Sequence, residues 1–425
     1  MYCNKFLNRV LALALVATLV TACGGGGGGS TPVPSAPAVP AAPVVANVIK
    51  LTVDAGPSGT GYNVNRLYTT VTVCSPGSTT QCQTIDHVLV DTGSFGVRLL
   101  ASAITGLNLS RLTATGGLPL LNCAQFVDLS FAWGPVVKAD VVLGGKTAAS
   151  VPIQVIADPD PRFSSPAAAC SVGGTMIATA TDLGANGILG IGLLKDDCGP
   201  DCALSPHNGR YYTCTDASCT ATKGATASLA QQVQNPVPRF AADSNGVFDN
   251  NGFLIDLPTA SSPGAPNLSG SLIFGIGTQS NNQWTSGAVL TTDSVGYVTT
   301  SLAEQNLTNN FTNSFIDSGS NGLFFDSTTI TKCGPSADGF YCPTSPTTLS
   351  ATLVGANGAT SAIPFSIDQA TDLFTGGVNH VLPTLAGTGS PNSFDWGLPF
   401  FYGRRVFFGI DGQASTLGTG PFYAF

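Results

Sequence analysis

The chain has 425 residues, a formal net charge of −8 and only 9% charged residues. No run of Lys or Arg could track a phosphate backbone, which excludes nucleic-acid binding as a main function. With 51 Gly, 28 Pro and a single Glu, Glu304, the charged helix formers are scarce, and the plentiful Thr, Val, Ile and Phe favour an all-β chain with many turns.

The first element in chain order is a targeting segment. Lys5 and Arg9 lead into the apolar run "VLALALVATLV", which is too short to span a bilayer and ends at Thr21-Ala22-Cys23. Residues 1–22 are therefore expected to be a signal peptide. The Thr-Ala-Cys ending resembles a bacterial lipobox, which implies lipidation of Cys23 once the signal is removed. An ordinary signal peptide with an incidental Cys is the alternative. Gly24 at the next position resembles lipoproteins sent to the outer membrane, so an envelope protein facing the periplasm or the surface is expected. Residues 23–47 then read as the lipidated Cys and a Gly/Pro-rich tether, whose glycines make a flexible coil and whose Pro/Ala part makes a stiffer spacer.

From Val48 the composition is globular and too long for one small core, which suggests two lobes. The boundary is expected near Pro236 and Pro238, giving an N-terminal β lobe at 48–234 and a C-terminal β lobe at 235–425. In the first lobe, "HVLVDTGSFGVRLL" (His87 to Leu100) ends an apolar run at Asp91. A charge there is costly unless something compensates it. In the second lobe, "NSFIDSGSNGLFF" repeats the pattern around Asp317: apolar, apolar, Asp, Thr or Ser, Gly, Ser, any residue, Gly, then an apolar strand. One such turn would mean little, because Asp and Gly favour turns for backbone reasons. Two copies, one per lobe and each behind a β-run, point to one site built from both. Each copy has a companion, "NGILGIGLL" around Gly190 and "FDWGLPFFYGRRVFFGI" around Gly397. A Gly inside such a strand marks close approach of another backbone, here expected to be the Asp loop.

Ten cysteines remain once Cys3 leaves with the signal and Cys23 carries lipid. An even number in an exported chain reads as disulfides. Near neighbours suggest Cys74 with Cys82, Cys198 with Cys202, Cys214 with Cys219 and Cys333 with Cys342, leaving Cys123 with Cys170. The alternative is a zinc site from Cys198, Cys202, Cys214 and Cys219 with His207 nearby. "DSNGVFDNNG" (Asp243 to Gly252) resembles fragments of a calcium loop but lacks its spaced ligands and terminal Glu, so tight turns explain it better.

The two Asp motifs and the two apolar-Gly strands make the chain resemble the pepsin-like aspartic peptidases, and in particular an uncharacterised group of bacterial lipoproteins built on that plan. "RLYTTVTV", "SGSLIFGIGTQSNNQWTSGAVLTT" and "FFYGRRVFFGIDGQASTLG" resemble further strands of the family, so the likeness extends over nearly the whole globular part. It implies an all-β, bilobal fold with an active-site cleft between two related β lobes. It also implies water-mediated endopeptidase chemistry on extended peptides, with Asp91 and Asp317 as the catalytic pair. In the family's plan Gly93 and Gly319 let the two loops approach, Thr92 and Ser318 bond across to the opposite loop, and Ser94 and Ser320 bond the outer carboxylate oxygens. No metal or organic cofactor is expected, and a monomer tethered through its lipid is. A non-catalytic cell-envelope binding protein on the same fold is the rival reading.

Three departures from the family stand out. The flap hairpin is expected at Leu129 to Gly145, where Trp133 replaces the usual Tyr. Arg98 stands where a Trp is common, which suggests an Arg98–Trp133 cation–π contact. Only the low-complexity tether separates Cys23 from the first strand, so no zymogen stage is expected.

Overall fold

The computed structural model describes residues 47–304 and 307–425. The expected signal peptide, the lipidated Cys23 and the tether as far as residue 46 lie outside the described residues. Asn47, one residue before the expected start of the globular part, is buried and donates through Nδ2 to Phe274 O and Asn281 Oδ1.

Strands dominate, in sheets of sixteen, seven and two strands among the described residues. The α-helices among those residues are no longer than five residues, as a chain rich in Gly and Pro would give. Alternation does the sorting. In the strand Leu67–Cys74, Val71 and Val73 are fully buried, while Thr72 turns outward opposite Thr84, their hydroxyls 2.8 Å apart.

The internal repeat becomes a repeated local frame. The strand Cys82–Asp91 runs parallel to Gly187–Ile191, with Asp91 opposite Gly190. That strand is in turn antiparallel to the return arm Phe95–Leu100. In the second half, Leu307–Ile316 runs parallel to Asp395–Trp396, which is antiparallel to Leu323–Phe325. The outcome is an all-β architecture in which an Asp motif leaves the end of a central strand in each half. The first strand, Val48–Val53, pairs with Leu268–Phe274 and so joins the two halves in one continuous sheet.

Aromatic rings fill the space behind the second motif. Phe394 stacks on Trp396 at 4.1 Å and on Phe325 at 4.6 Å, and Trp396 donates through Nε1 to Thr300 Oγ1. Burying each such ring stabilises the lobe by about 1.5–3 kcal/mol.

All five expected disulfides form: Cys74–Cys82, Cys123–Cys170, Cys198–Cys202, Cys214–Cys219 and Cys333–Cys342. The four sulfurs of the zinc alternative are therefore consumed as two bridges, and His207 is exposed. Cys123–Cys170 spans 47 residues, by far the longest loop of the five. Loop-closure entropy then predicts that replacing both of these cysteines by Ala costs about 4 kcal/mol. Urea unfolding of the double variant should show it as a lower midpoint.

The expected flap needs correcting. Leu129 to Gly145 is not a hairpin: Phe131–Leu143 is one continuous strand. The Gly134-Pro135 step does not turn the chain. A Cβ on Gly134 would lie 1.8 Å from Val155 O, so this glycine serves close approach to the next strand. A hairpin does lie earlier, between Leu120–Gln125 and Phe131–Leu143, and its turn is residues 126–130. Val127 and Leu129 on that turn are exposed, and Leu129 adopts a positive φ of 67°.

Candidate active site

The two Asp loops meet. Gly93 N donates to Asp91 Oδ1 at 2.9 Å and to Asp317 Oδ1 at 3.0 Å, so one backbone amide is shared by both carboxyls. Gly319 N donates to Asp317 Oδ1 at 2.7 Å. Neither glycine has room for a side chain. A Cβ on Gly93 would lie 2.6 Å from Asp317 Cγ, and one on Gly319 would lie 2.6 Å from Asp91 Oδ1.

Two hydroxyls lock the loops together with near two-fold symmetry. Thr92 Oγ1 donates to Ile316 O and accepts from Ser318 N. Ser318 Oγ donates to Val90 O and accepts from Thr92 N. Both side chains are buried, so each bond is worth more than its exposed equivalent and costly to leave half-made. The serines differ more. Ser94 Oγ donates to Asp91 Oδ2 at 2.5 Å, whereas Ser320 Oγ lies 2.8 Å from Asp317 Oδ2 and 2.6 Å from Asp395 Oδ2. Gly190 and Gly397 lie against the return arms of their own Asp loops. A Cβ would meet Gly96 O at 2.8 Å in the first case and Gly322 O at 2.1 Å in the second.

The second loop is also tied to the first lobe through Asn65. Its Nδ2 donates to Asn321 O and Leu382 O, and its Oδ1 accepts from Leu382 N and Tyr402 Oη. Asn65 tolerates the φ of 48° that this position requires better than most side chains do.

The carboxyl pair is nearly, but not wholly, enclosed. Asp91 is 5% exposed and Asp317 8%, while Gly93 between them is open to solvent. Burial, and then the charge of Asp317, raises the Asp91 carboxyl to about 7, against the pull of the Ser94 and Gly93 hydrogen bonds. The folded state therefore holds a proton that the unfolded chain releases at lower pH. Stability contributed by this group is full at low pH and declines as pH rises from about 4 to about 7. Asp91→Asn should consequently melt higher than the wild type above about pH 7, by up to about 4 kcal/mol, with the gap closing as pH falls to about 4. Thermal melts of both proteins across that range check the sign.

The expected Arg98–Trp133 contact is absent. Trp133 is 1% exposed, donates through Nε1 to Phe163 O and packs edge-on against Tyr212. Arg98 is spent on a buried polar network instead. Its guanidinium donates to Asn122 Oδ1, Gln154 Oε1 and Phe95 O and pairs with Asp197 Oδ2 at 3.1 Å. Tyr211 Oη donates to the other Asp197 oxygen. Trp133 lies opposite Cys123 in the strand ladder, and its indole turns toward Phe163, away from the guanidinium. Arg98→Met should cost about 3–5 kcal/mol by stranding Asp197, whereas replacing Arg98 and Asp197 together by apolar residues should cost much less. Denaturant melts of the single and double variants check this.

Sequence reasoning missed Asp197, Asn122 and Gln154 as partners of Arg98, Tyr211 as a donor to Asp197, and Asp395 as a third carboxyl beside Ser320. The available signal for Asp395 was an acid inside an aromatic run, two residues before Gly397, where the first-lobe companion has Ile188.

The model of the family described as "Protein of unknown function (DUF3443)" matches residues 43–425. Among solved structures the chain is similar to the aspartic proteinase from Irpex lacteus, at 14% identity, over 89% of this chain and 96% of that chain, with a TM-score of 0.48. No curated protein matches.

Proposed function

The chain belongs to the DUF3443 family, whose function is unknown, and we propose that it is an aspartic-type endopeptidase. The observation that carries this reading is the shared amide: Gly93 N bonds both Asp91 and Asp317, holding two buried carboxyls face to face. Such a pair cannot readily ionise twice, so it keeps one proton between its members. One proton on two carboxyls is the general arrangement of aspartic proteases, and what this chain adds is the geometry that would produce it. A water at the pair loses a proton to the ionised carboxylate as its oxygen attacks the scissile carbonyl carbon. The protonated partner gives its proton to the carbonyl oxygen, forming a neutral gem-diol. Collapse returns a proton to the pair and delivers one to the departing amine. The substrate is an extended stretch of peptide.

The active form needs the shared proton. Cleavage should therefore fall as pH rises through about 7. In the test, the protein is incubated with denatured proteins between about pH 3 and pH 8 and the new termini are identified by mass spectrometry. Internal cleavage that is strongest at acidic pH, and is blocked by a peptide with a secondary alcohol in place of the scissile amide, supports the reading. Cleavage that ignores that peptide or grows at alkaline pH contradicts it.

The exported setting is part of the proposal. Acylation at Cys23 would hold the protein to the outer membrane through the 23–47 tether, as a monomer. Five disulfides suit an oxidising compartment, and among the described residues no helix is long and apolar enough to cross a membrane. Palmitate labelling of cells, lost in Cys23→Ser, tests the anchor. One observation favours the rival, a binding protein: Cys123, on one arm of the hairpin, is stapled to Cys170. If that hairpin serves as the flap, the staple limits its freedom to close over a substrate.

A further inference from the structure

Ser320 has a counting problem. Its Oγ lies 2.8 Å from Asp317 Oδ2 and 2.6 Å from Asp395 Oδ2. A serine hydroxyl carries one hydrogen, and an ionised carboxylate only accepts. With both carboxyls ionised, one of these contacts would set lone pair against lone pair at hydrogen-bond distance. One of the two acids must therefore carry a proton and donate it to Ser320 Oγ.

The surroundings decide which. Asp317 Oδ1 receives two backbone amides, from Gly93 and Gly319, so a charge there is supported. Asp395 receives none, and its Oδ1 is buried with no hydrogen-bond partner in the described structure. The strands on either side place Phe315 and Phe324 opposite it in register. Among the described residues the charged groups that act on it are Asp317 and Asp91, both acidic, and no Lys or Arg pairs with it. The internal repeat sharpens the point. Asp91 faces Gly190 and Asp317 continues the same register to Gly397, so Asp395 corresponds to Ile188, a fully buried core residue. The second lobe has an acid where the first has a hydrocarbon.

We infer that Asp395 is a positioning residue: a neutral carboxylic acid that donates to Ser320 Oγ, so that the Ser320 hydroxyl donates in turn to Asp317 Oδ2. Burial and the neighbouring charges of Asp317 and Asp91 push its carboxyl well above the usual range, in keeping with this. The relay breaks the symmetry of the pair. It fixes the Ser320 hydroxyl toward Asp317 and favours negative charge on Asp317, leaving the shared proton to Asp91. The catalytic consequence rests on the peptidase reading; the protonation of Asp395 does not.

Infrared difference spectra of wild type minus Asp395→Asn at about pH 7 test the protonation without any substrate. The expected result is loss of a protonated-carboxyl carbonyl band with the carboxylate bands cancelling. Loss of an ionised-carboxylate band instead overturns the inference. Asn keeps the size and an N–H donor, and a wild-type-like melt confirms its fold. Kinetics supply the second arm. Asp395→Asn should leave the pH profile of cleavage in place, whereas Asp395→Ile, which has no donor, should lower kcat roughly tenfold with KM little changed. A downward shift of both limbs in Asp395→Asn, or full activity in a folded Asp395→Ile, also overturns it. If wild type cleaves nothing while the infrared result holds, the peptidase reading fails and the Asp395 assignment stands.

Discussion

Asp317→Asn is expected to slow peptide cleavage by about 1,000- to 10,000-fold while leaving the fold intact. The substitution is nearly isosteric. Asn Oδ1 can still accept from Gly319 N and Gly93 N, so the loop geometry should survive. What is lost is the charge that takes a proton from water, and with it the contribution that Asp317 adds to burial in raising the Asp91 carboxyl. Asp91→Asn should be as severe for the complementary reason, since it removes the proton given to the carbonyl oxygen. The two effects should not add, because the carboxyls act as one unit. Initial rates on a peptide chosen from the cleavage map measure this. Less than a tenfold loss in either folded variant would leave the hydrolysis to some other group.

Gly319→Ala is the second large effect. Its new methyl carbon would lie 2.6 Å from Asp91 Oδ1 and 2.7 Å from Asp91 Cγ, far inside van der Waals contact. Gly93→Ala mirrors it, at 2.6 Å from Asp317 Cγ and 2.8 Å from both oxygens. In each case the obstacle is the opposite carboxyl, which must swing away by about 1 Å, a misplacement that typically costs about 100-fold in rate. Because the residue next to each glycine is tied across the loops through Thr92 and Ser318, the backbone cannot readily move instead. The signature is a fall in kcat with little change in KM, together with an Asp91 titration step that moves down once Asp317 is pushed off. Wild-type rates in either alanine variant would mean that the carboxyls need not be close.

The legible parts of the molecule are those written twice or written locally. Asp91 and Asp317 stand out because the same run of residue types recurs around both, and the close cysteines sit near enough in sequence to pair by proximity. Partners supplied by distant chain are not legible. Nothing near Arg98 announces Asp197, which arrives from 99 residues away, so the sequence alone leaves the arginine free to meet an aromatic ring. The stretch Leu129 to Gly145 reads as a flap hairpin carrying Trp133, with Gly134 inside it. That glycine is instead there for the approach of Val155 O, a tertiary demand invisible to local pattern. Asp395 escapes notice for the opposite reason: a single acid among aromatic residues has no repeat to flag it, and its meaning comes from failing to match Ile188.

The central claim is that Asp91 and Asp317 hold one proton between them, and carbon-13 NMR of carboxyl-labelled aspartate measures it directly. The pair should titrate in two separated steps, the upper one near pH 7, and in Asp317→Asn the Asp91 step should fall while burial still keeps it above an ordinary carboxyl. A single step near pH 4 for both residues, unchanged for Asp91 when Asp317 is replaced, would contradict the account.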